Sequence, residues 1–239
     1  MASTSRFTRF TATALVLVSL VSATPAQAAP ADDLSAQIST YLATQEGDYT
    51  VSIRELGPGG ISTGIVEDGW IEPASVVKLF YAWAALRRVD LGSINLNQTM
   101  ANGLTWDRCL RLMISISDNQ CSADIRVALG NRTLNTLFAA SGYPNTFIKL
   151  TTRGAYDGKR TSAADTALLL TRLEEGTLLS PESTQYFHQL LKDQVWRTRI
   201  NLGVPVGTRV ENKSGELWVA SGWTACWWSA AATRTCPAA

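Results

Sequence analysis

Hydrophobic and polar positions along the chain fall into two periods, and the changes between them mark the elements. From Asp32 to Gln45 the apolar positions Leu34, Ile38, Tyr41 and Leu42 recur at helical spacing. Tyr49 to Glu55 then alternates with period two, the turn Gly57-Pro58-Gly59-Gly60 follows, and Ile61 to Val66 reads as the returning strand of a hairpin. Ser75 to Val89 (SVVKLFYAWAALRRV) is apolar on most sides, which predicts a buried helix with the run Phe80, Tyr81 and Trp83 in the core. Thr105 to Ile114 and Cys121 to Leu129 are two further helices, broken at Ser115 to Asn119. Ala163 to Leu173 is another. Ser180 and Pro181 supply an N-cap and a first-turn proline for a helix running to about Lys192. Gly207 to Lys213 reads as a late strand. Strand hairpin, helical block, then strand predicts an α+β fold. Its antiparallel sheet would be built from both chain ends, with an all-helical block beside it.

The first residues stand outside that fold. Arg6 and Arg9 precede an apolar run, Thr11 to Ala23, and Ala26-Gln27-Ala28 has the small-x-small form of a cleavage site. The run is about 13 residues, short of the roughly 20 needed to span a bilayer. Residues 1–28 are therefore expected to be a signal peptide, leaving 29–239 as one exported domain in an oxidising compartment, with no membrane attachment after cleavage. The chain of 239 residues is 17% charged with a formal charge of +1, so it carries no basic footprint for nucleic acid. Its single histidine, His188, and four cysteines without a C-x-x-C pair argue against a zinc site. No cofactor is expected. His188 is placed on a surface helix with no acid or serine partner supplied by any motif, which disfavours a Ser-His-Asp triad.

Three short motifs carry chemistry. In Ser75-Val76-Val77-Lys78 the hydroxyl and the ammonium stand three residues apart, on one face of a helix. A serine needs a base, and a lysine whose pKa is depressed by burial among Leu79, Phe80 and Trp83 can serve. Ser117-Asp118-Asn119 lies in the break between two helices, 42 residues after Ser75. Lys213-Ser214-Gly215 ends the late strand, where Gly215 allows a substrate close to the backbone. Each motif alone has an ordinary structural explanation: a chance helix pattern, an Asx turn, a solvated strand end.

In this order and placement the three resemble the S-x-x-K, S-D-N and K-[ST]-G set of serine β-lactamases and penicillin-binding proteins, and are most similar to class A β-lactamases. The resemblance runs from about Ala31 to Gly215 and includes Asp157 to Ser162, similar to the family's stretch after its omega loop. It implies a β-lactamase-like fold with the active site between sheet and helical block. It implies that Ser75 is acylated, Lys78 takes its proton, and Ser117 relays a proton to the leaving nitrogen. Asn119 would bind the substrate amide and Lys78, while Lys213 and Ser214, beside Gly215, would hold the substrate carboxylate. The backbone N–H groups of Ser75 and Glu216 would form the oxyanion hole. The implied partners are a small β-lactam or a cell-wall peptide, handled by a monomer.

Two departures change those expectations. The family's omega-loop glutamate activates the deacylating water, yet no Asp or Glu occurs between Asp124 and Asp157. Asp157 itself stands too near the following helix to substitute. Acylation would persist and deacylation would be slow. A D-alanyl-D-alanine peptidase, and a non-catalytic remnant that binds β-lactams or wall peptides, are the alternatives. After Gly215 only Glu216 to Ala239 remain, a Trp-rich tail that reads neither as an alternating strand nor as an amphipathic helix, as a truncated or frameshifted ending would. Cys109 and Cys121 flank Ser117 and either form a disulfide, which an exported protein favours, or remain buried thiols. Cys226 and Cys236 are assigned nothing.

Overall fold

The computed structural model describes residues 30–197, 200–218 and 224–234. The segment expected to be a signal peptide and the last five residues, with Cys236, lie outside them. Helix α1 (Pro30–Leu42) leads into the hairpin β1 (Val51–Arg54) and β2 (Ser62–Ile65). A single 3-10 turn over Ala74–Val77 then runs directly into α2 (Lys78–Asp90). Helices α3 (Trp106–Ser115), α4 (Asn119–Leu129) and α5 (Asn131–Ala140) follow. The hairpin β3 (Phe147–Leu150) and β4 (Tyr156–Arg160) comes next, then α6 (Ala163–Glu174), α7 (Pro181–Lys192) and the short α8 (Ile200–Gly203). The chain closes on β5 (Arg209–Trp218) and β6 (Thr224–Arg234).

The α+β architecture is as expected, with a refinement in the sheet. Strands from the two chain ends do not join one ladder among the described residues; β1–β2, β3–β4 and β5–β6 are separate antiparallel pairs. Helix α6 packs against both β1 and β6 and so ties the two ends together. The tail also departs from expectation. Thr224–Arg234 is a strand in register with β5, Lys213 opposite Ser229 and Gly215 opposite Trp227. Its alanines are poor strand formers, so pairing with β5 decides the conformation.

The core is organised around α2, in which every residue from Lys78 to Leu86 is buried. Phe80 and Trp83 pack on Phe138 and Tyr143, with ring centroids 5.2–6.1 Å apart. A helix apolar nearly all round can only be a central one, and α3, α4, α5 and α7 all pack on it. The caps follow local chemistry. Thr105, Asp118, Ser162 and Ser180 each accept a bond from a backbone N–H of the first turn of α3, α4, α6 and α7.

Cys109 on α3 and Cys121 on α4 form a disulfide across a sequence separation of 12. It braces the residues between the two helices, including Ser117. Replacing both cysteines by serine should lower stability by about 3 kcal/mol, the loop-entropy value for so short a loop. Denaturant titration of the two proteins measures it, and an unchanged midpoint would contradict a bracing role.

Candidate active site

Five segments meet at one cleft of about 310 Å³: the 3-10 turn, α2, α4, β4 and β5. Ser75 sits in the 3-10 turn rather than on the helix proper, which begins at Lys78. The residue before it, Ala74, is held at φ 48°, and Ser117 at φ 62°. Non-glycine residues adopt such left-handed backbone at a cost of order 1–3 kcal/mol, and such residues cluster where surrounding structure over-determines them. Around Ser117 that structure is visible. The Asp118 N–H donates to the Leu112 carbonyl (3.0 Å), the Asp118 carboxylate caps α4, and the disulfide joins the flanking helices.

The left-handed turn at Ser117 aims both its carbonyl and its hydroxyl at Lys78. The Lys78 ammonium donates to Ser117 O (2.6 Å), Ser117 Oγ (3.1 Å) and Asn119 Oδ1 (2.8 Å). From the other side the Lys213 ammonium donates to Ser117 Oγ (2.9 Å) and to its neighbour's carbonyl, Ser214 O (2.6 Å). Two lysines thus share one hydroxyl. With both lone pairs of Ser117 Oγ accepting, its own proton is left to donate elsewhere.

Burial sets the charge of this pair. Lys78 and Lys213 are 2% and 1% exposed. Desolvation, with the nearby Lys159 ammonium, pulls Lys78 down to about 8, against a smaller upward effect of Asp118. Desolvation and the Lys78 charge pull Lys213 down to about 7. Two ammonium groups on one oxygen in a dry site disfavour each other's charge.

All the residues singled out from the three motifs are brought to this region, with two corrections. Ser75 Oγ makes no hydrogen bond to Lys78 among the described residues, although one helical face was expected to pair them. The ammonium's three donors are already taken by the Ser117 loop and Asn119. The Ser214 hydroxyl likewise forms no hydrogen bond among the described residues; its carbonyl is the group engaged. At Gly215, where close approach of a substrate was expected, it is the backbone of the 3-10 turn that comes close. A Cβ there would lie 2.9 Å from Ser75 N and 3.0 Å from both Pro73 O and Val76 N. The next residue, Glu216, lines the cleft with Ser75.

His188 is not on the surface. Its side chain is 12% exposed, with Nδ1 2.5 Å from Glu211 Oε2 and Nε2 3.9 Å from Glu174 Oε2, so its partners are carboxylates and not a serine. Burial of Glu211, 2% exposed on β5, is what draws the imidazole in. Asp157 pairs with Lys149 at 3.5 Å and does not line the cleft. Among the described residues the one carboxylate in the lining is Glu216.

Tyr81, Arg126, Tyr156 and Lys159 also line the cleft and were not read as site residues. Arg126 had a usable pattern, since Asn119, Ser122, Ala123 and Arg126 follow i, i+3, i+4, i+7 on α4. Among the described residues no group of three His, Cys, Asp or Glu side chains could hold a metal, and no helix is long and apolar enough to cross a membrane.

Solved structures of similar fold include a penicillin-acylated mutant of PBP-A, at 24% identity and TM-score 0.69, covering 77% of each chain. A β-lactamase from Chitinophaga pinensis is 19% identical with TM-score 0.71, covering 81% of this chain and 82% of that one. The TLA-3 extended-spectrum β-lactamase is 19% identical with TM-score 0.71 and 82% coverage of both. Comparison with curated proteins finds no match. Those identities speak to the fold alone, but residues 33–222, enclosing all three motifs, also match the family described as the beta-lactamase enzyme family, and the chain belongs to it.

Proposed function

We propose that the protein is an exported serine acyl-transfer enzyme of the class A β-lactamase type, acylated at Ser75 by β-lactams and slow to deacylate. The observation that carries this is the convergence of the two lysine ammonium groups on Ser117 Oγ, at 3.1 and 2.9 Å, with Lys78 lining the same cleft as Ser75. In the neutral form Lys78 accepts the Ser75 proton as the serine oxygen bonds to the lactam carbon. The oxyanion is met by the backbone N–H groups of Ser75 and Glu216. As the carbon–nitrogen bond breaks, Ser117 donates its proton to the nitrogen and is reprotonated by Lys78. Apo hydrogen bonds at such sites tighten only when substrate is bound, which is consistent with the open Ser75–Lys78 contact. Lys213 and Ser214 hold the substrate carboxylate, and Asn119 its amide. The penicillin-acylated PBP-A of similar fold gives the same chemistry a precedent.

Slow deacylation rests on the lining of the cleft. Lys159, not a carboxylate, faces Lys78 from β4, and among the described residues no carboxylate other than Glu216 lines the cleft. Loss of a general base typically costs about 10²- to 10⁴-fold. The same observation favours a second reading, a D-alanyl-D-alanine peptidase acting on wall peptides. A chromogenic cephalosporin and a wall pentapeptide separate the two. One equivalent of colour in a burst, absent from Ser75→Ala, supports the first reading. Catalytic release of D-alanine selects the peptidase. Neither signal would contradict both. We also expect cleavage after Ala28 and a monomer in solution; N-terminal sequencing and light scattering of the exported protein measure these.

The lysine pair predicts the pH profile. Acylation needs Lys78 neutral, so its rate rises with pH through about 8. Carboxylate binding needs Lys213 charged, so it falls as pH passes about 7. The product is a bell with its maximum between those values. Lys213→Arg, always charged, should remove the alkaline limb, whereas a flat profile for the native protein would contradict the assignment.

A further inference from the structure

Beyond the reacting groups, the cleft continues along α4 for two turns, past Asn119, Ser122 and Ala123 to Arg126, about 10 Å at 1.5 Å per residue. This end is built from groups that the acylation chemistry does not use. The Arg126 guanidinium lies 4.2 Å above the Tyr156 ring and gives one N–H to Asn131 Oδ1 at 2.6 Å. It has no carboxylate partner among the described residues, and its remaining donors are unspent. Lys159 approaches from β4, with its side chain 21% exposed and its ammonium 3.7 Å from Glu72 Oε1. Glu72 is already shared, since Arg160 holds its other oxygen at 2.6 Å. The bridge between Ile71 and Thr161 fixes β4 against the segment that precedes Ser75, so this geometry is tied to the nucleophile. Glu72 is therefore shared between Lys159 and Arg160, and Arg126 stands in the same lining, where Glu216 is the one carboxylate among the described residues. A second, independent feature stands beside them. Tyr81, 2% exposed and lining the cleft, has a buried hydroxyl with no hydrogen-bond partner. Burial holds that hydroxyl in its protonated, donating form.

We infer that this end of the cleft is a binding site for a carboxylate carried on the acyl side chain of the substrate, with Arg126 and Lys159 as its cations and the Tyr81 hydroxyl as a further donor. The site rests on the reading that the acyl group is delivered to Ser75. Ser117 and Lys213 hold the leaving-group side, so the acyl chain runs the other way, along α4 toward Arg126. An anion there satisfies the unpaired Tyr81 hydroxyl and offsets the excess positive charge, in a partly desolvated place where charge-assisted bonds are strong. The preferred substrates are β-lactams or peptides whose acyl portion bears a free carboxylate several bonds from the scissile carbonyl, and neutral acyl chains are accepted less well.

The test uses two penicillins made from 6-aminopenicillanate, one acylated with adipic acid and one with its monomethyl ester. They differ only in the distal carboxylate. With the Ser75→Ala protein, calorimetry should show the acid binding at least about tenfold more tightly than the ester, the worth of one or more charged hydrogen bonds. Salt should narrow the gap. Arg126→Gln combined with Lys159→Gln should abolish the preference of the protein for the acid over the ester. Equal binding of acid and ester by the Ser75→Ala protein overturns the site, whatever the double variant does. Acylation of the unaltered protein is read separately by mass. Absence of any Ser75 adduct would contradict the acylation reading, while the binding comparison would still decide the carboxylate site.

Discussion

Lys78→Met is expected to slow acylation of Ser75 by about 10²- to 10⁴-fold, the usual worth of a general base. Methionine roughly keeps the length and the burial of the side chain but removes the amine proposed to take the serine proton. Lys213 cannot replace it, because its ammonium is spent on Ser117 Oγ and Ser214 O from the far side of that hydroxyl. Ser117 Oγ also loses the bond at 3.1 Å, and Ser117 O and Asn119 Oδ1 lose theirs, so the relay to the leaving nitrogen fails together with proton removal. Quenched-flow measurement of adduct formation at pH 8 reads the effect. A rate within about threefold of the unaltered protein would show that another group serves as base.

Gly215→Ala is expected to reduce acylation by about 10²- to 10³-fold, the effect of losing one oxyanion donor. The reason is space and not backbone conformation. The added Cβ would meet three backbone atoms, Ser75 N, Pro73 O and Val76 N, at 2.9–3.0 Å. No side-chain rotation relieves a contact with backbone, so β5 must move off the 3-10 turn and take the N–H of Glu216 out of line. Gly203→Ala is the control, since a Cβ there meets nothing within 4 Å. It should leave acylation unchanged. Normal activity in Gly215→Ala would mean that the strand and the turn are not held in register as described.

The motifs were legible because each is local. Ser75 and Lys78, Ser117 to Asn119, and Lys213 to Gly215 can be recognised as short strings, and the apolar neighbours of Lys78 already imply a depressed pKa. The break between α3 and α4 and the cap at Ser180 follow from local sequence in the same way, while the Cys109–Cys121 disulfide is one of the two states that the sequence leaves open. What escaped depends on contacts between distant segments. The left-handed backbone of Ser117 and Ala74 has no signature in residue type, and it decides that Lys78 is claimed by the Ser117 loop instead of by Ser75. The β3–β4 hairpin, with FIKL and YDGKR as its strands, alternates too weakly to be read, so Tyr156 and Lys159 were lost from the site with it. Strand β6 takes its conformation from β5, against the preference of its alanines. His188 sits on a helix whose polar spacing suggests solvent, and only the buried Glu211 two residues before Lys213 explains why it is enclosed.

The most direct measurement is peptide mapping by mass spectrometry after benzylpenicillin is mixed with the protein and the reaction is followed over time. A single adduct with the mass of one intact penicillin should appear on the peptide containing Ser75, persist over minutes to hours, and be absent from Ser75→Ala. Lack of modification at Ser75, or an adduct on a different side chain, would contradict the proposal that the two lysines sharing Ser117 Oγ serve acylation of Ser75.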